Sequence, residues 1–296
     1  MYEIIRRKWL EEALSSIVED TDVKRMMTHL QILEKPQNDA NDDDNDGLTQ
    51  KEDAFEDLSV IVDNLDNAND FHKIGGYHVM IKCLSSEHSS LRWRAADLLA
   101  VCVQNNPYCQ KAAMEMNILP KLITLLETDP SDKVKIKALY AISCLTRDFP
   151  PAEEAFLKSD GFSILMRAMQ GENDKLITKS AFMLRNMLVL NPSHKLTLLK
   201  MGFIEQLVGL LQAPQNASHE HVISLLKTFL IDYPPAINEC QRPEFDLEKL
   251  LTSLITSAME DDPDLHEEMI LNCKELLHTC FNKQGQTQPN IENNVR

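Results

Sequence analysis

The stretch Lys179-Ser180-Ala181-Phe182-Met183-Leu184 decides the fold, because its pattern of a small residue with a large apolar residue four positions later recurs along the chain. Residues four apart lie on one face of an α-helix, so each such pair predicts a helix that buries this face. The pairs follow one another at a period of about forty residues, which indicates a repeat architecture. They are Ala54/Leu58, Ala95/Leu99, Ala138/Ile142 and Ser180/Leu184, and in the last copy Val222, followed by Leu226, takes the place of the small residue.

A second column of residues lies between these helices. It consists of Gly76, Asn117, Gly161 and Gly202, each followed by a large apolar residue. Glycine and asparagine are the residues that most easily adopt a positive φ, so we expect the column to mark a turn between two helices. Each repeat is then predicted to contain a short helix, a turn, a middle helix, a loop and a long third helix.

One such triplet cannot bury its own apolar faces, so neighbouring triplets must stack on one another. The sequence therefore predicts an all-α fold, an armadillo-type right-handed superhelical solenoid with helical caps, whose long third helices line the concave side. We expect an N-terminal helical segment at 1–35, an acidic flexible linker at 36–50 and the armadillo repeat core at 51–245. Capping helices are expected at 246–281 and a disordered tail at 282–296.

The composition excludes several classes of function. The chain has 296 residues, with 46 acidic against 30 basic side chains and a formal charge of −16, so its surface would repel nucleic acid and anionic membranes. No apolar run approaches the roughly 20 residues that span a bilayer. Seven cysteines without a CxxC pair are typical of free thiols in a reducing compartment. A cytoplasmic protein that contacts neither nucleic acid nor membrane is predicted.

Three runs of the sequence carry a resemblance to a known family. They are Leu91-Arg92-Trp93-Arg94-Ala95-Ala96, Lys137-Ala138-Leu139-Tyr140-Ala141-Ile142-Ser143-Cys144-Leu145 and Asp160-Gly161-Phe162-Ser163-Ile164-Leu165-Met166-Arg167-Ala168-Met169. With them the chain, from about residue 52 to 281, closely resembles the heat-shock-protein-binding nucleotide exchange factors, the Fes-type armadillo cochaperones of the seventy-kilodalton heat-shock chaperone.

The resemblance implies a four-repeat core whose concave face binds the ATPase domain of that chaperone and promotes ADP release. It implies no cofactor, and a capped solenoid has no need to self-associate, so we expect a monomer. The alternative is an armadillo scaffold or adaptor that holds an unrelated protein or an extended peptide in the same groove. Peptide capture would favour a ladder of asparagines along the third helices, of which the sequence supplies only Asn186.

The helical period also predicts which residues would contact a partner. In the long helix of the second repeat, Ala95, Leu99 and Cys102 point inward, and the opposite face is left for binding. Its aromatic and basic members suit apolar anchoring and hydrogen bonding to an acidic partner, although the same side chains could be ordinary solvated surface. The predicted partner-binding residues are Arg94, Asp97, Val101, Asn105, Lys137, Tyr140, Cys144, Lys179, Phe182, Asn186, Ser224 and Thr228.

Two motifs suggest metal chemistry, and both have simpler interpretations. The segment from Asp42 to Asp53 fits the carboxylate and glycine positions of a calcium loop, but it ends in Asp where a bidentate Glu is usual, so an acidic linker is favoured. His219 and His221 are two apart on a helix and point to different faces. No catalytic constellation of nucleophile, base and oxyanion site is recognisable, so no enzyme and no metal site are predicted.

Overall fold

The computed structural model describes residues 21–35, 44–214 and 216–282, and no β-strand occurs among them. The chain divides into two compact units, Met1–Ala168 and Met169–Arg296. The helices that begin in the first unit are α1 (Asp22–Glu34), α2 (Asp44–Ile61), α3 (Leu65–Lys73), α4 (Gly76–Cys83), α5 (Ser89–Val103), α6 (Pro107–Glu115), α7 (Ile118–Thr128), α8 (Asp132–Thr146), α9 (Pro150–Lys158) and α10 (Gly161–Met169). The second unit contains α11 (Asp174–Leu190), α12 (His194–Lys200), α13 (Phe203–Gln212), α14 (His219–Leu230), α15 (Pro234–Cys240), a 3₁₀ turn (Pro243–Phe245), α16 (Leu247–Asp261) and α17 (Glu267–Phe281).

In each unit the long helices pack on one another in succession. In the first unit α2 packs on α5 and α5 packs on α8, with α4 and α7 against their flanks. In the second unit α11 packs on α14 and α14 packs on α17, with α13 and α15 alongside α14. A succession of long helices, each flanked by shorter ones, is the packing that the repeat pattern predicts.

The residues that define the repeat lie in the core, as predicted. No member of the five pairs is more than 2% exposed, from Ala54 and Leu58 in α2 to Val222 and Leu226 in α14. Small buried residues let neighbouring helices approach closely, and large buried residues fill the space between helices. All-α architecture and the inward face of the third helices are therefore confirmed.

The turn column is shifted by one residue in two of its four copies. Asn117 and Gly202 have the expected positive φ, of 54° and 71°. In the other two copies the left-handed residue is Gly75 or Asp160, and the predicted Gly76 and Gly161 are instead the first residues of α4 and α10. The left-handed position thus immediately precedes the middle helix in every copy. The prediction placed it one residue late at Gly76 and Gly161.

Close packing explains glycine at the start of α4 and α10. A Cβ added to Gly76 would lie 2.5 Å from the Phe71 ring, and one added to Gly161 would lie 2.6 Å from the Phe156 ring. Both phenylalanines are fully buried at equivalent positions of the preceding short helix. The glycine is therefore retained for the space it leaves rather than for its backbone freedom.

We expect Gly161→Ala to destabilise the protein by about 1–3 kcal/mol, because the new methyl group would overpack a filled site. Gly209 is the matched control, since it also lies in a middle helix, α13, but a Cβ there would meet nothing within 4 Å. Gly209→Ala should be neutral or should stabilise by up to about 1 kcal/mol. Chemical denaturation monitored by circular dichroism measures both changes. Equal effects of the two substitutions would contradict the packing argument.

Side chains from the short helices cap the carbonyl ends of the long helices. Gln110 of α6 donates to the carbonyls of Cys144, Leu145 and Arg147, at the end of α8. Lys195 of α12, which is 6% exposed, donates to the carbonyl of Ile231 at the end of α14 over 2.6 Å. The last carbonyls of a helix have no intrahelical partner, so these bonds fix the ends of α8 and α14 within their triplets.

An ion pair links adjacent repeats in the first unit. Arg92 of α5 donates from Nε and Nη2 to the two carboxylate oxygens of Asp129, over 2.6 and 3.0 Å. Its remaining Nη1 donates to the carbonyls of Ser86 and Glu87 in the α4–α5 loop. Asp129 also accepts from the Ser131 amide and is 5% exposed. The pair joins a long helix to the end of α7 in the next triplet.

The ends of the chain differ in part from the prediction. Residues 44–50, assigned to a flexible linker, already belong to α2, and Gln50 donates to Asp46 one turn earlier. The disfavoured alternative, a calcium-binding loop over Asp42–Asp53, does not fit residues 44–53, since carboxylates on a helix cannot wrap an ion as a loop does. Residues 1–20, 36–43 and the tail beyond residue 282 lie outside the described residues.

The predicted caps continue the repeat. Asp246 has a positive φ of 43° directly before α16, in the same place as the turn residues of the earlier copies. Helix α17 packs on α14 as the other long helices pack on their predecessors. Together α15, α16 and α17 thus form one further triplet in the part of the chain that the structure describes. The sequence pattern does not identify Asp246 as a turn residue, because it is neither glycine nor asparagine.

Candidate functional site

In the first unit the predicted binding residues form a cluster around a tryptophan. Trp93 is half-buried on α5, with the guanidinium carbon of Arg94 at 4.3 Å from its ring centre. The ammonium groups of Lys133 and Lys137 lie 3.4 and 6.0 Å from the same centre. Cations near an indole ring are stabilised by its quadrupole. The cluster presents a half-exposed aromatic surrounded by positive charge.

Acidic residues of the same protein hold this cluster in place. Arg94 forms ion pairs with Glu52 at 3.2 Å and Glu56 at 3.1 Å, and Lys137 donates to Asp97 over 2.7 Å. The sequence suggested that Arg94 and Lys137 are isolated bases on an open groove. In the structure both are instead paired with acidic residues. Because their charges are already compensated, they contribute orientation and hydrogen bonding rather than a net positive field.

A shallow cleft of about 130 Å³ borders the cluster. It is lined by residues of α2 and α5, among them Glu56, Ser59, Trp93, Arg94 and Asp97. Its walls combine the aromatic ring with carboxylate and guanidinium groups. Such a mixture is found at protein interfaces, where an apolar centre is surrounded by polar groups.

Tyr140 extends the surface along α8. Its hydroxyl donates to Gln104 Oε1 over 3.0 Å, and the Lys137 ammonium lies 6.0 Å from the ring centre. Burial, with a smaller effect of Cys144, raises the pKa of Tyr140 to about 12. The phenol is thus a neutral group at physiological pH, with one apolar face and one polar end.

In the second unit a long helix carries an exposed phenylalanine. Phe182 of α11 is 45% exposed, which is unusual for so large an apolar side chain. Lys179 lies one turn before it and is exposed, whereas Asn186, one turn after it, is half-buried. On α14 the corresponding Ser224 is half-buried. An exposed phenylalanine between polar neighbours is typical of an interface anchor.

Three predicted binding residues do not lie on an exposed helical face. Cys144 is 2% and Thr228 is 8% exposed, because both turn toward packed neighbours, and the Thr228 hydroxyl bonds to the Ser224 carbonyl. Asn105 is exposed but follows the end of α5 with a φ of 53°, so it belongs to the turn before Pro107. The helical period therefore does not describe where these three side chains lie. Asn105 serves the turn because asparagine tolerates the left-handed conformation.

Sequence reasoning missed Trp93 and Lys133. Trp93 belongs to a run that resembles the known family, but the helical period does not assign it to the binding face, because it lies one position before Arg94. The available signal was its residue type: tryptophan is often found at interface hot spots, and the chain contains only two. The cleft around it depends on the approach of α2, which periodicity alone does not give.

Metal and membrane sites receive no support from the described residues. No group of three or more metal-ligating side chains occurs in 21–35, 44–214 or 216–282. His219 is buried, its Nδ1 lies 2.9 Å from Asn216 Oδ1, and burial lowers its pKa so that the ring stays neutral. Within the same residues no helix has the length and hydropathy needed to cross a membrane.

Comparison with solved structures defines the class of protein. A designed armadillo repeat protein, YIII(Dq)4CqI, matches with a TM-score of 0.63 and 18% identity, over 86% of this chain and 98% of that chain. The armadillo-repeats-only protein of Plasmodium falciparum matches with a TM-score of 0.56 and 22% identity, over 73% of this chain and 98% of that chain. The fold is that of an armadillo repeat protein, as predicted.

Comparison of sequences identifies the family. Residues 67–190 match the SIL1/FES1/HPBP1 C-terminal domain, and residues 3–71 match the family described as nucleotide exchange factor Fes1. Hsp70-binding protein 1 of Homo sapiens is 39% identical over 93% of this chain and 78% of its own length. Nucleotide exchange factor SIL1 of Xenopus laevis is 31% identical over 70% of this chain and 44% of its own length. The chain belongs to the SIL1/FES1/HPBP1 family.

Proposed function

We propose that this protein is a nucleotide exchange cochaperone that binds the ATPase domain of Hsp70 and promotes the release of ADP. The observation that carries the proposal is the 39% identity to Hsp70-binding protein 1 over 93% of the chain. The match of residues 3–71 to the Fes1 nucleotide exchange factor supports the same activity from a different part of the sequence.

The exposed sides of the long helices are the proposed contact surfaces, one in each unit. The surface of the first unit contains Trp93 and Tyr140 and that of the second unit contains Phe182, each accompanied by lysine or arginine side chains. Aromatic and arginine side chains are the residues that most often dominate binding energy at protein interfaces. Arg94, Asp97, Val101, Lys137, Lys179, Asn186 and Ser224 are proposed as the polar and apolar surround of these anchors.

Nucleotide release requires only a difference in affinity. A partner that binds the open, nucleotide-free ATPase domain more tightly than the closed, ADP-bound one shifts the domain toward the open state. No covalent bond is made or broken, so the proposed activity needs no catalytic residue and no cofactor in this chain.

The proposal includes action as a monomer, in the cytosol and away from membranes. The seven cysteines, all present as free thiols, suit that compartment.

The proposal is tested by following labelled ADP bound to the Hsp70 ATPase domain after excess unlabelled nucleotide is added. We expect this protein to accelerate the loss of label in a concentration-dependent manner, because its binding favours the open domain. The control omits the protein and gives the intrinsic rate. A complex that forms without any change in the release rate would contradict exchange activity and favour an adaptor.

A further inference from the structure

Lys133 of α8 lies on the indole ring of Trp93, which belongs to the preceding long helix, α5. Its ammonium is 3.4 Å from the ring centre, whereas the guanidinium carbon of Arg94 is 4.3 Å from it. Lys133 is exposed and Trp93 is half-buried. The negative face of the ring attracts the ammonium, and the apolar stem of the lysine packs beside it. The ring therefore holds a lysine that would otherwise be mobile.

The other two cations of the cluster around Trp93 already have carboxylate partners. Arg94 pairs with two glutamates of α2, and Lys137 pairs with Asp97. In the part of the chain that the structure describes, no ion pair involves Lys133. Lys133 thus carries the positive charge of this cluster that no described carboxylate balances.

The position of Lys133 in its helix also favours an added negative charge. It is the second residue of α8, at the end where the helix dipole is positive. An acidic side chain such as that of Asp132 suits this end, whereas a cation is disfavoured there. A carboxylate brought against the Lys133 ammonium would be attracted by the lysine and by the helix end alike.

We propose that Lys133, held on the ring of Trp93, binds a carboxylate of the Hsp70 ATPase domain and determines specificity at the contact surface of the first unit. The inference rests on the function proposed above. It adds the chemistry that the partner presents at this point, which is an aspartate or glutamate side chain. The ammonium has three donor hydrogens, so it can remain on the ring and still donate outward to a carboxylate oxygen.

Restriction by the ring makes Lys133 a stronger candidate than an ordinary surface lysine. Exposed ion pairs usually contribute little, because a long side chain loses its rotamer freedom when the pair forms. At Lys133 much of that freedom is already lost in the free protein, since the ammonium lies on Trp93. A group that is ordered before binding loses less entropy on binding.

The cleft beside Trp93 supplies the opposite preference. Its walls include the acidic side chains of Glu56 and Asp97, whose charges would repel a carboxylate of the partner. A partner carboxylate is therefore attracted at Lys133 and disfavoured a side chain away. Attraction and repulsion in this arrangement fix the register of the partner on the surface.

The test measures the affinity and the association rate of the full chain for the Hsp70 ATPase domain, at low and at physiological ionic strength. Lys133→Met keeps an unbranched apolar chain over the ring but removes the charge. We expect it to bind about tenfold more weakly, with an association rate that depends less on salt. Lys133→Glu should bind about a hundredfold more weakly, because it places like charges together. Lys133→Arg keeps the cation on the ring and should bind like the wild type.

Lys121→Glu is the matched control. Lys121 is an exposed lysine of the same unit, but it lies on the middle helix α7 and outside the proposed surface. Its substitution changes the net charge as Lys133→Glu does, so it measures the effect of overall charge alone. Affinity should change little in this variant. The melting temperature of every variant shows whether the fold is intact.

Three results would overturn the inference. Wild-type affinity of Lys133→Met would show that the lysine only covers the ring. Equal losses in Lys133→Glu and Lys121→Glu would show an effect of overall charge. A wild-type protein that does not bind the ATPase domain would overturn the proposed function together with this inference. Wild-type binding that neither Lys133→Met nor Lys133→Glu weakens would overturn this inference alone.

Discussion

Replacing Tyr140 and Phe182 together by alanine is expected to weaken binding to the Hsp70 ATPase domain on the order of a hundredfold. Both rings lie on the exposed side of long helices, where Phe182 leaves 45% of its surface to solvent. A hundredfold loss is about 2.8 kcal/mol, or about 1.4 kcal/mol for each ring, which is within the range that aromatic anchors contribute when a partner buries them. Titration calorimetry or surface plasmon resonance measures the loss, and accelerated ADP release should fall with it.

Leu196→Ala is the matched control for this double substitution. Leu196 is 52% exposed, so it is as accessible as Phe182, but it lies on the short helix α12 and outside the proposed surface. Its replacement should leave the affinity unchanged. The melting temperature of each variant distinguishes a lost contact from a lost fold. Unchanged binding by a folded Tyr140→Ala/Phe182→Ala variant would place the contact surface elsewhere.

Asp129→Ala is expected to destabilise the first unit by about 3–5 kcal/mol, because it leaves the buried Arg92 guanidinium without its counter-ion. The two hydrogen bonds of 2.6 and 3.0 Å and the low exposure of both side chains make this pair unlike an ordinary surface ion pair. Denaturant unfolding measures the loss. Asp70→Ala is the control, since Asp70 pairs with Lys73 at 2.8 Å on the exposed surface of α3. It should cause a much smaller change.

The Asp129 carboxylate also predicts how the stability of the protein depends on pH. Burial alone would raise the pKa of Asp129, but the hydrogen bonds from Arg92 and the Ser131 amide outweigh it and lower the pKa. A lowered pKa means that the stabilisation is fully present above the unfolded pKa, near 4, and is lost as the pH falls through the folded pKa. The wild-type protein should therefore lose stability below about pH 4 more steeply than Asp129→Ala. Parallel pH profiles would contradict this assignment.

Much of the fold follows from the sequence because the repeat imposes the same burial in every copy. One column, Ala95 with Leu99 and its equivalents, is enough to place the long helices and their inward faces. The residue with a positive φ in each turn is harder to place, because glycine has two uses that the sequence does not separate. At Gly202 it provides a positive φ, whereas at Gly161 it leaves room for Phe156. The second use depends on a contact that only the packed structure shows.

The candidate site was predictable at the level of the helix face but not of each residue. The helical period selects Tyr140 and Phe182 correctly as outward side chains. The period fails at Thr228, because this side chain on α14 turns toward a packed neighbour and is buried. It fails at Asn105 because α5 has already ended before this residue. It also cannot show that Arg94 is held by Glu52 and Glu56, since these residues lie one repeat earlier in the chain.

If this protein promotes the release of ADP, it must bind one nucleotide state of the Hsp70 ATPase domain in preference to the other. The most direct measurement compares its affinity for the Hsp70 ATPase domain without nucleotide and with saturating ADP, at one temperature and salt concentration. Because coupling between two ligands is reciprocal, a protein that expels ADP must itself be expelled by ADP. We predict clearly tighter binding to the nucleotide-free domain. Equal affinity for the two states would contradict the exchange function, however tight the binding.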